Sequence, residues 1–254
     1  MYRILRCRLL ALATLGVAAM AGAQITESPV TVAPGRFLLE MDAISLTLDR
    51  ADGAKYTAFG AASTFLSTGL AQHWDIQLGA ELFISQKYED GSFRERRSGI
   101  GDVYLRTKWR FLDDPESGSA AAVIPFVKIP TNSGRVGNRS VEGGLIVPWS
   151  TQLIGGFDFS AMVEVDFLRN DADDGYDTHG YASASLTRSV TKRVALYAEA
   201  AVGKSSGAGP AEGVVGGGVT VAFSGNSWWD VAVYRGISRG AADWNHVIRY
   251  NWGF

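Results

Sequence analysis

The chain closes on WNHVIRYNWGF, residues 244–254. Successive side chains of an extended strand point to opposite faces, so Trp244, His246, Ile248, Tyr250, Trp252 and Phe254 share one face, while Asn245, Arg249, Asn251 and Gly253 occupy most of the other. One aromatic face and one polar face suit a wall with lipid on one side and water on the other. A fold built from such walls requires the same alternation throughout the chain.

It recurs. Between Trp74 and Ser85, the residues Trp74, Ile76, Leu78, Ala80, Leu82 and Ile84 oppose Asp75, Gln77, Gly79, Glu81 and Ser85, with Phe83 as an inward aromatic. In the next segment Val103, Leu105, Thr107, Trp109 and Phe111 oppose Asp102, Tyr104, Arg106, Lys108 and Arg110. A dry sandwich core cannot hold that second face, because unpaired buried charge is too costly, whereas a wet interior can. Leu153–Phe167, Val194–Val202 and Val215–Phe223 repeat the pattern, and weaker versions lie at Arg36–Leu48, Tyr56–Leu70, Ser119–Pro130, Val141–Ser150, His179–Ser189 and Trp228–Ile237. With the closing strand they total twelve, which predicts an all-β, transmembrane, antiparallel up-and-down β-barrel. In the first segment the apolar parity changes between Met41 and Ile44, predicting a β-bulge near Ala43. Pro125 and Pro148 are awkward for paired strands.

The N-terminus predicts export. Arg3, Arg6 and Arg8 precede an apolar stretch, Leu9–Ala19, and Ala21-Gly22-Ala23 supplies an A-x-A site, the order of a signal peptide cleaved after Ala23. That divides the chain into a leader at 1–23, a short periplasmic segment at 24–35 that is either a lead or a partial plug, and a barrel at 36–254. No later stretch reaches the ~18 apolar residues of a spanning helix. Cys7, the one cysteine, leaves with the leader, which excludes disulfides and thiolate chemistry from the mature chain. Losing three arginines moves the formal net charge from −2 to −5 with both signs interspersed, so no basic patch invites nucleic acid.

Short connections are expected at Ala71–His73, Asp113–Gly118, Ser150–Thr151, Val190–Lys192 and Ser224–Asn226. Longer ones are expected at Asp49–Lys55, Tyr88–Ser98, Thr131–Ser140, Arg169–Thr178, Gly203–Glu212 and Ser238–Ala242. Short turns on one rim and long loops on the other is the outer-membrane arrangement, with the short rim periplasmic. On this topology Trp74, Trp109, Trp149, Trp228, Trp229 and Trp252, with Phe254, form an aromatic girdle at the periplasmic rim, and Trp244 lies at the opposite one.

The stretch SGIGDVYLRTKWRFLDDPESGSAAAVIPFVKIPT, residues 98–131 and their neighbours, carries Gly99-Ile100-Gly101-Asp102 opening a strand, Lys108 along it, and Lys128-Ile129-Pro130-Thr131 closing the next. These pieces resemble the outer-membrane β-barrel porin and transporter family associated with phenol meta-pathway degradation. The terminal Phe254 likewise resembles the closing residue of Gram-negative outer-membrane barrels, which the barrel-assembly machinery reads. The resemblance implies a cell outer-membrane location, lipid and lipopolysaccharide as surroundings, a small-molecule solute as ligand, and no cofactor.

Inward ionisable residues are the candidate pore lining: Glu40, Asp42, Asp75, Glu81, Asp102, Arg106, Lys108, Arg110, Lys128, Asp158, Glu164, Asp166, Glu199 and Arg249. Pairing in sequence order sets Asp75, Gln77 and Glu81 against Arg106, Lys108 and Arg110, and sets Glu40 and Asp42 against Arg249. Opposed acidic and basic walls suit a narrow conduit for passive uptake of small solutes, hydrophobic or aromatic ones by family association. A salt-bridged structural or adhesive barrel without transport uses the same residues. Twelve strands about 4.8 Å apart and tilted about 40° give a backbone radius of about 12 Å, which side chains narrow further.

Catalysis and metal binding read poorly. His73, His179 and His246 have no Ser and carboxylate at triad spacing, which counts against a lipid hydrolase. The acidic run Asp171, Asp173, Asp174 and Asp177 around Gly175 fails the EF-hand spacing, and Gly203–Gly213 lacks Walker spacing, so both read as external loops without a metal or phosphate.

Overall fold

The computed structural model describes residues 25–254 apart from 171, 173 and 208; the leader at 1–23 and its cleavage site lie outside them. Alternating side chains, β-branched and aromatic residues and closely spaced turns make strands of nearly all the rest. They are β1 (Phe37–Ala51), β2 (Ala54–Ala71), β3 (Trp74–Asp90), β4 (Phe93–Gly99), β5 (Val103–Asp114), β6 (Ser119–Ile129), β7 (Glu142–Leu153), β8 (Phe157–Arg169), β9 (Tyr176–Ser189), β10 (Val194–Ser205), β11 (Glu212–Ser224), β12 (Ser227–Gly236) and β13 (Trp244–Gly253).

All pairings between these strands are antiparallel, and β1 bonds both β2 and β13, so the sheet closes on itself. β4 pairs with the upper part of β3 and β5 with its lower part, Trp74–Ala80. These two segments share one position in the wall, making a twelve-position barrel. The Gly101 N–H donates to the Glu81 carbonyl across the break at 2.8 Å. A Cβ on Gly101 would meet the Cβ of Glu81 at 2.5 Å, which is why the crossing needs glycine.

The near rim, where β1 starts and β13 ends, has only short turns, at 72–73, 115–118, 154–156, 190–193 and 225–226. Longer connections at 130–141, 170–175, 206–211 and 237–243 lie on the far rim. Three expected connections differ. Asp49–Lys55 is a two-residue hairpin turn on Asp52 (φ 52) and Gly53 (φ 86), the positive-φ pair that a type I′ turn demands. Tyr88–Ser98 is the β3–β4 hairpin, turning at Gly91 (φ 56). The turn expected at Ser150–Thr151 falls at 154–156, where Gly155 and Gly156 supply the positive φ, and β7 keeps Leu153. Beside Pro125 the β5–β6 ladder skips Thr107 and Lys108, while Pro148 pairs with Met162.

The bulge anticipated near Ala43 is present, with the β1–β13 register shifting between Asp42 and Ile44. It extends sideways. The row Asp42, Ser63 and Glu81 faces inward, and two residues along each strand the row Ile44, Ala61 and Phe83 faces outward. Ala62, between them on β2, holds φ 55, a left-handed value uncommon for any residue with a Cβ. One residue of each strand thus turns the pleat over. Phe83, expected inward, is therefore 41% exposed and lies against Phe59, and Ile84 moves to the lumen side.

This geometry predicts opposite effects at one position. Ala62→Val, branched at a left-handed φ, should lower the free energy of unfolding by about 1–2 kcal/mol, whereas Ala62→Gly should leave it unchanged or raise it. Urea titration of the folded barrel, followed by tryptophan fluorescence, measures both.

Candidate functional site

Burial inverts between the two faces. Leu78, Leu105, Trp109, Val163, Phe167, Leu196 and Val202 are exposed on the outside, whereas Asp42, Asp75, Arg106, Lys128, Glu164 and Arg249 are buried inside. Charges in such a place persist only when paired or hydrogen-bonded. The closing seam shows how. Arg249 donates from Nε (2.7 Å) and Nη2 (2.6 Å) to Asp42, its directly paired neighbour across β1–β13. Glu40 stands two pairs nearer the rim, opposite Asn251, and Asn251 donates to Asp230 at 2.8 Å. Asp230 also accepts from the Thr220 hydroxyl.

The rest of the interior is organised by residues 25–34, which run inside the barrel. The Glu199 carboxylate accepts the Ile25 N–H (2.9 Å) and the Thr26 N–H (2.6 Å), and also the Tyr234 hydroxyl (2.7 Å). Thr26 bonds Ser183, and the Glu27 N–H donates to the Met162 sulfur. The Glu27 carboxylate forms a buried pair with Arg106 at 2.6 Å, and the guanidinium of Arg106 lies 4.6 Å from the Phe65 ring centroid. Asp75 accepts the Val32 N–H, Lys108 donates to the Val30 carbonyl, and Pro34 bridges Gly69 near the rim. A Cβ on Gly69 would meet the Val32 carbonyl at 2.3 Å, so the close approach there needs glycine. Ile25 itself is packed in an apolar cluster with Ile124, Ile146, Met162, Val214, Val247 and the rings of Tyr181, Tyr197 and Tyr234. The lumen is thus part charged and part apolar, where the sequence reading expected charge.

From the far side, the 130–141 loop folds onto the interior. Lys128 pairs with Glu142 (2.5 Å) and Asp102 (3.4 Å) and donates to Asn138. Asn132 donates to Asp102, and Asn138 donates to Glu142. Nearby, buried His179 lies between Asp166 (3.5 Å) and Glu212 (3.9 Å).

Most of the candidate lining residues meet in these networks. Asp75 is paired in register with Lys108 and Gln77 with Arg106. Glu81 instead lies beside Asp102, accepting its N–H, and Arg110 sits at the near rim with Asp113 and His73. Glu164, Asp166 and Glu199 face inward from β8 and β10. Asp158 shares the parity of inward Met162 and Glu164 but stands exposed at the near rim opposite Gln152, outside these networks, because β8 begins at Phe157. One expected girdle residue is a correction. It is Trp228, which shares its face with inward Asp230 and lines the cavity at the near mouth. Trp74, Trp109, Trp149, Trp229, Trp252 and Phe254 ring the outside of that rim, with Phe254 stacked on Phe37 (5.4 Å) and Trp252 (4.4 Å).

The sequence reading passed over Glu27, Glu142, Asp230 and Glu212. Alternation with Ala232 and Tyr234 marks Asp230 as inward; Glu27 lies in an aperiodic segment with no such signal. His246 faces outward beside Trp244, and among the described residues no three His, Cys, Asp or Glu side chains are placed to hold a metal ion. Asp171 and Asp173 lie outside the described residues; Asn170 closes their loop by accepting the N–H groups of Asp174 and Gly175.

Between the N-terminal segment and the wall of β1 and β11–β13 a cavity of about 620 Å³ remains. It runs from Phe37, Asn226 and Phe254 at the near rim inward to Glu40, Lys108, Asp230 and Arg249.

A family model described as "Putative MetA-pathway of phenol degradation" matches residues 22–252. The chain belongs to this family. No curated protein matches the sequence. Among solved structures, the COG4313 outer membrane channel from Pseudomonas putida F1 superposes with a TM-score of 0.67 at 12% identity, covering 89% of this chain and 97% of that one. The NanC porin follows at TM-score 0.54 and 9% identity, covering 84% and 98%. The β domain of the Bordetella autotransporter BrkA gives 0.56 at 14%, covering 87% and 100%. At these identities the likeness establishes the barrel fold that the family shares with channels and autotransporter domains alike.

The seam pair generates a stability prediction. Arg249→Met leaves Asp42 buried without its partner and should cost about 3–5 kcal/mol. The double variant Arg249→Met, Asp42→Asn should recover much of that loss in the same urea titration.

Proposed function

We propose that this protein is an outer-membrane channel for passive uptake of small solutes, hydrophobic or aromatic compounds among them. The observation that carries the reading is the cavity held open beside the N-terminal segment, inside a wall whose outer face is apolar. Its walls offer carboxylates at Glu40 and Asp230, cations at Lys108 and Arg249, and apolar surface from Trp228 and Leu38. A solute with a polar group and an apolar body finds both kinds of surface there. The family description, which refers to phenol degradation, supports aromatic compounds as the solute class. In this reading the near rim is periplasmic and the far rim external.

Passage depends on how firmly residues 25–34 are held. Their anchors include two buried carboxylate contacts, Glu199 on the Ile25 and Thr26 amides and Glu27 on Arg106. Purified wild-type protein in planar bilayers should give small conductance steps, and liposomes containing it should admit phenol-sized aromatics. Deleting residues 25–34 should raise unitary conductance at least about twofold by widening the passage, and the double variant Glu27→Gln, Glu199→Gln should shift the protein toward that wider state. Absence of steps and of flux from wild type and deletion alike would overturn the channel in favour of a structural barrel.

A further inference from the structure

The outer surface of β1–β4 above the bulge changes character over two rows. Directly paired residues of an antiparallel sheet share a face. One outward row reads Leu48, Thr57, Lys87 and Arg96, and the next reads Arg50, Lys55, Glu89 and Arg94. Below them the same surface is apolar, with Ile44, Leu46, Phe59 and Phe83. Arg50, Lys55, Lys87, Arg94 and Arg96 are all exposed. Lys87 and Arg94 share one carboxylate, Glu89, at 3.1 Å and 3.5 Å. Arg96 donates to the Ser85 hydroxyl.

Two of these pairings set like charges directly opposite, Arg50 with Lys55 and Lys87 with Arg96. Cross-strand neighbours are about 5 Å apart, and like charges there repel. An anion lying over the rows turns that repulsion into attraction. The height is also specific. From Leu39, level with Trp252, to Arg50 is a rise of about 30 Å along the barrel axis for a tilted strand. That slightly exceeds the roughly 25 Å apolar band of an outer-membrane barrel, so the cations stand at headgroup level.

We propose that this surface binds the phosphorylated headgroup of lipopolysaccharide, with its phosphates among Lys55, Lys87, Arg94 and Arg96 and its acyl chains along Ile44, Phe59 and Phe83. Guanidinium forks and ammonium groups suit phosphate oxygens, and clustered Lys and Arg beside an apolar surface suit a charged lipid. The assignment rests on the functional reading above only in taking the far rim as external; it does not depend on solute passage.

Native mass spectrometry of the purified full-length barrel, offered bisphosphorylated lipid A or the same lipid stripped of phosphate, tests the chemistry. The phosphorylated lipid should be retained and the stripped one lost. The triple variant Lys87→Gln, Arg94→Gln, Arg96→Gln should bind about tenfold more weakly or worse, and Arg188→Gln, an exposed arginine at the near rim, should bind as wild type. Equal retention of both lipids, or an unchanged triple variant, would overturn the proposal. Ser92→Cys, on the β3–β4 turn, tests the orientation. Labelling of intact cells by a membrane-impermeant maleimide supports it, and protection there alongside labelling in lysed cells overturns the lipopolysaccharide assignment together with the external far rim. Labelling without phosphate-dependent binding overturns the lipid site alone.

Discussion

Backbone amides and carbonyls facing hydrocarbon have no water to bond, so every one must find its partner inside the wall. That requirement is met only if the first strand and the last one join. β1 and β13 do so over ten residue pairs, and beyond them Phe37 and Phe254 exchange both backbone bonds at 2.8 and 2.9 Å. The aromatic stack of Phe254 on Phe37 and Trp252 lies over this joint, and the Asp42–Arg249 pair backs it from within. Girdle, seam and interior charge are therefore parts of one closure.

Closing a barrel creates a second demand, because side chains turned inward must be solvated by something. Here much of that solvation comes from the protein's own residues 25–34. Their amides satisfy Glu199 and Asp75, and the carboxylate of Glu27 satisfies Arg106. Ile25 then occupies an apolar niche among tyrosines that bare alternation would have left wet. The interior is a mixed medium with one face of its cavity supplied by residues 25–34 and the other by the strands of the wall, an arrangement in which binding and blocking use the same groups.

How far the sequence could be read follows from the range of each interaction. Period-two alternation is local, so Trp74–Ala80, Val103–Phe111 and Trp244–Phe254 are legible in it, and parity alone brings Asp42 to Arg249. The parity break at Ala43 was visible because Met41 and Ile44 are both large. Its continuation was hidden on β2 among the small residues Ala61, Ala62 and Ser63, and on β3 within the unbroken apolar run Leu82-Phe83-Ile84, and so Phe83 was assigned to the wrong face. Asp52-Gly53 and Gly155-Gly156 carry hairpin signals that length alone misread as a loop and as strand. Nothing in Ile25–Pro34 is periodic; what holds it lies across the barrel, so neither Glu27 nor its destination was legible.

Those long separations also order events in time. The contacts of Ile25, Thr26 and Glu27 with Glu199, Ser183 and Met162 span 135 to 174 residues. Loop-closure entropy makes such contacts slow to form. The stretch synthesised before any strand is consequently among the last to be seated, since its partners on β8–β10 must stand in the wall before it can dock.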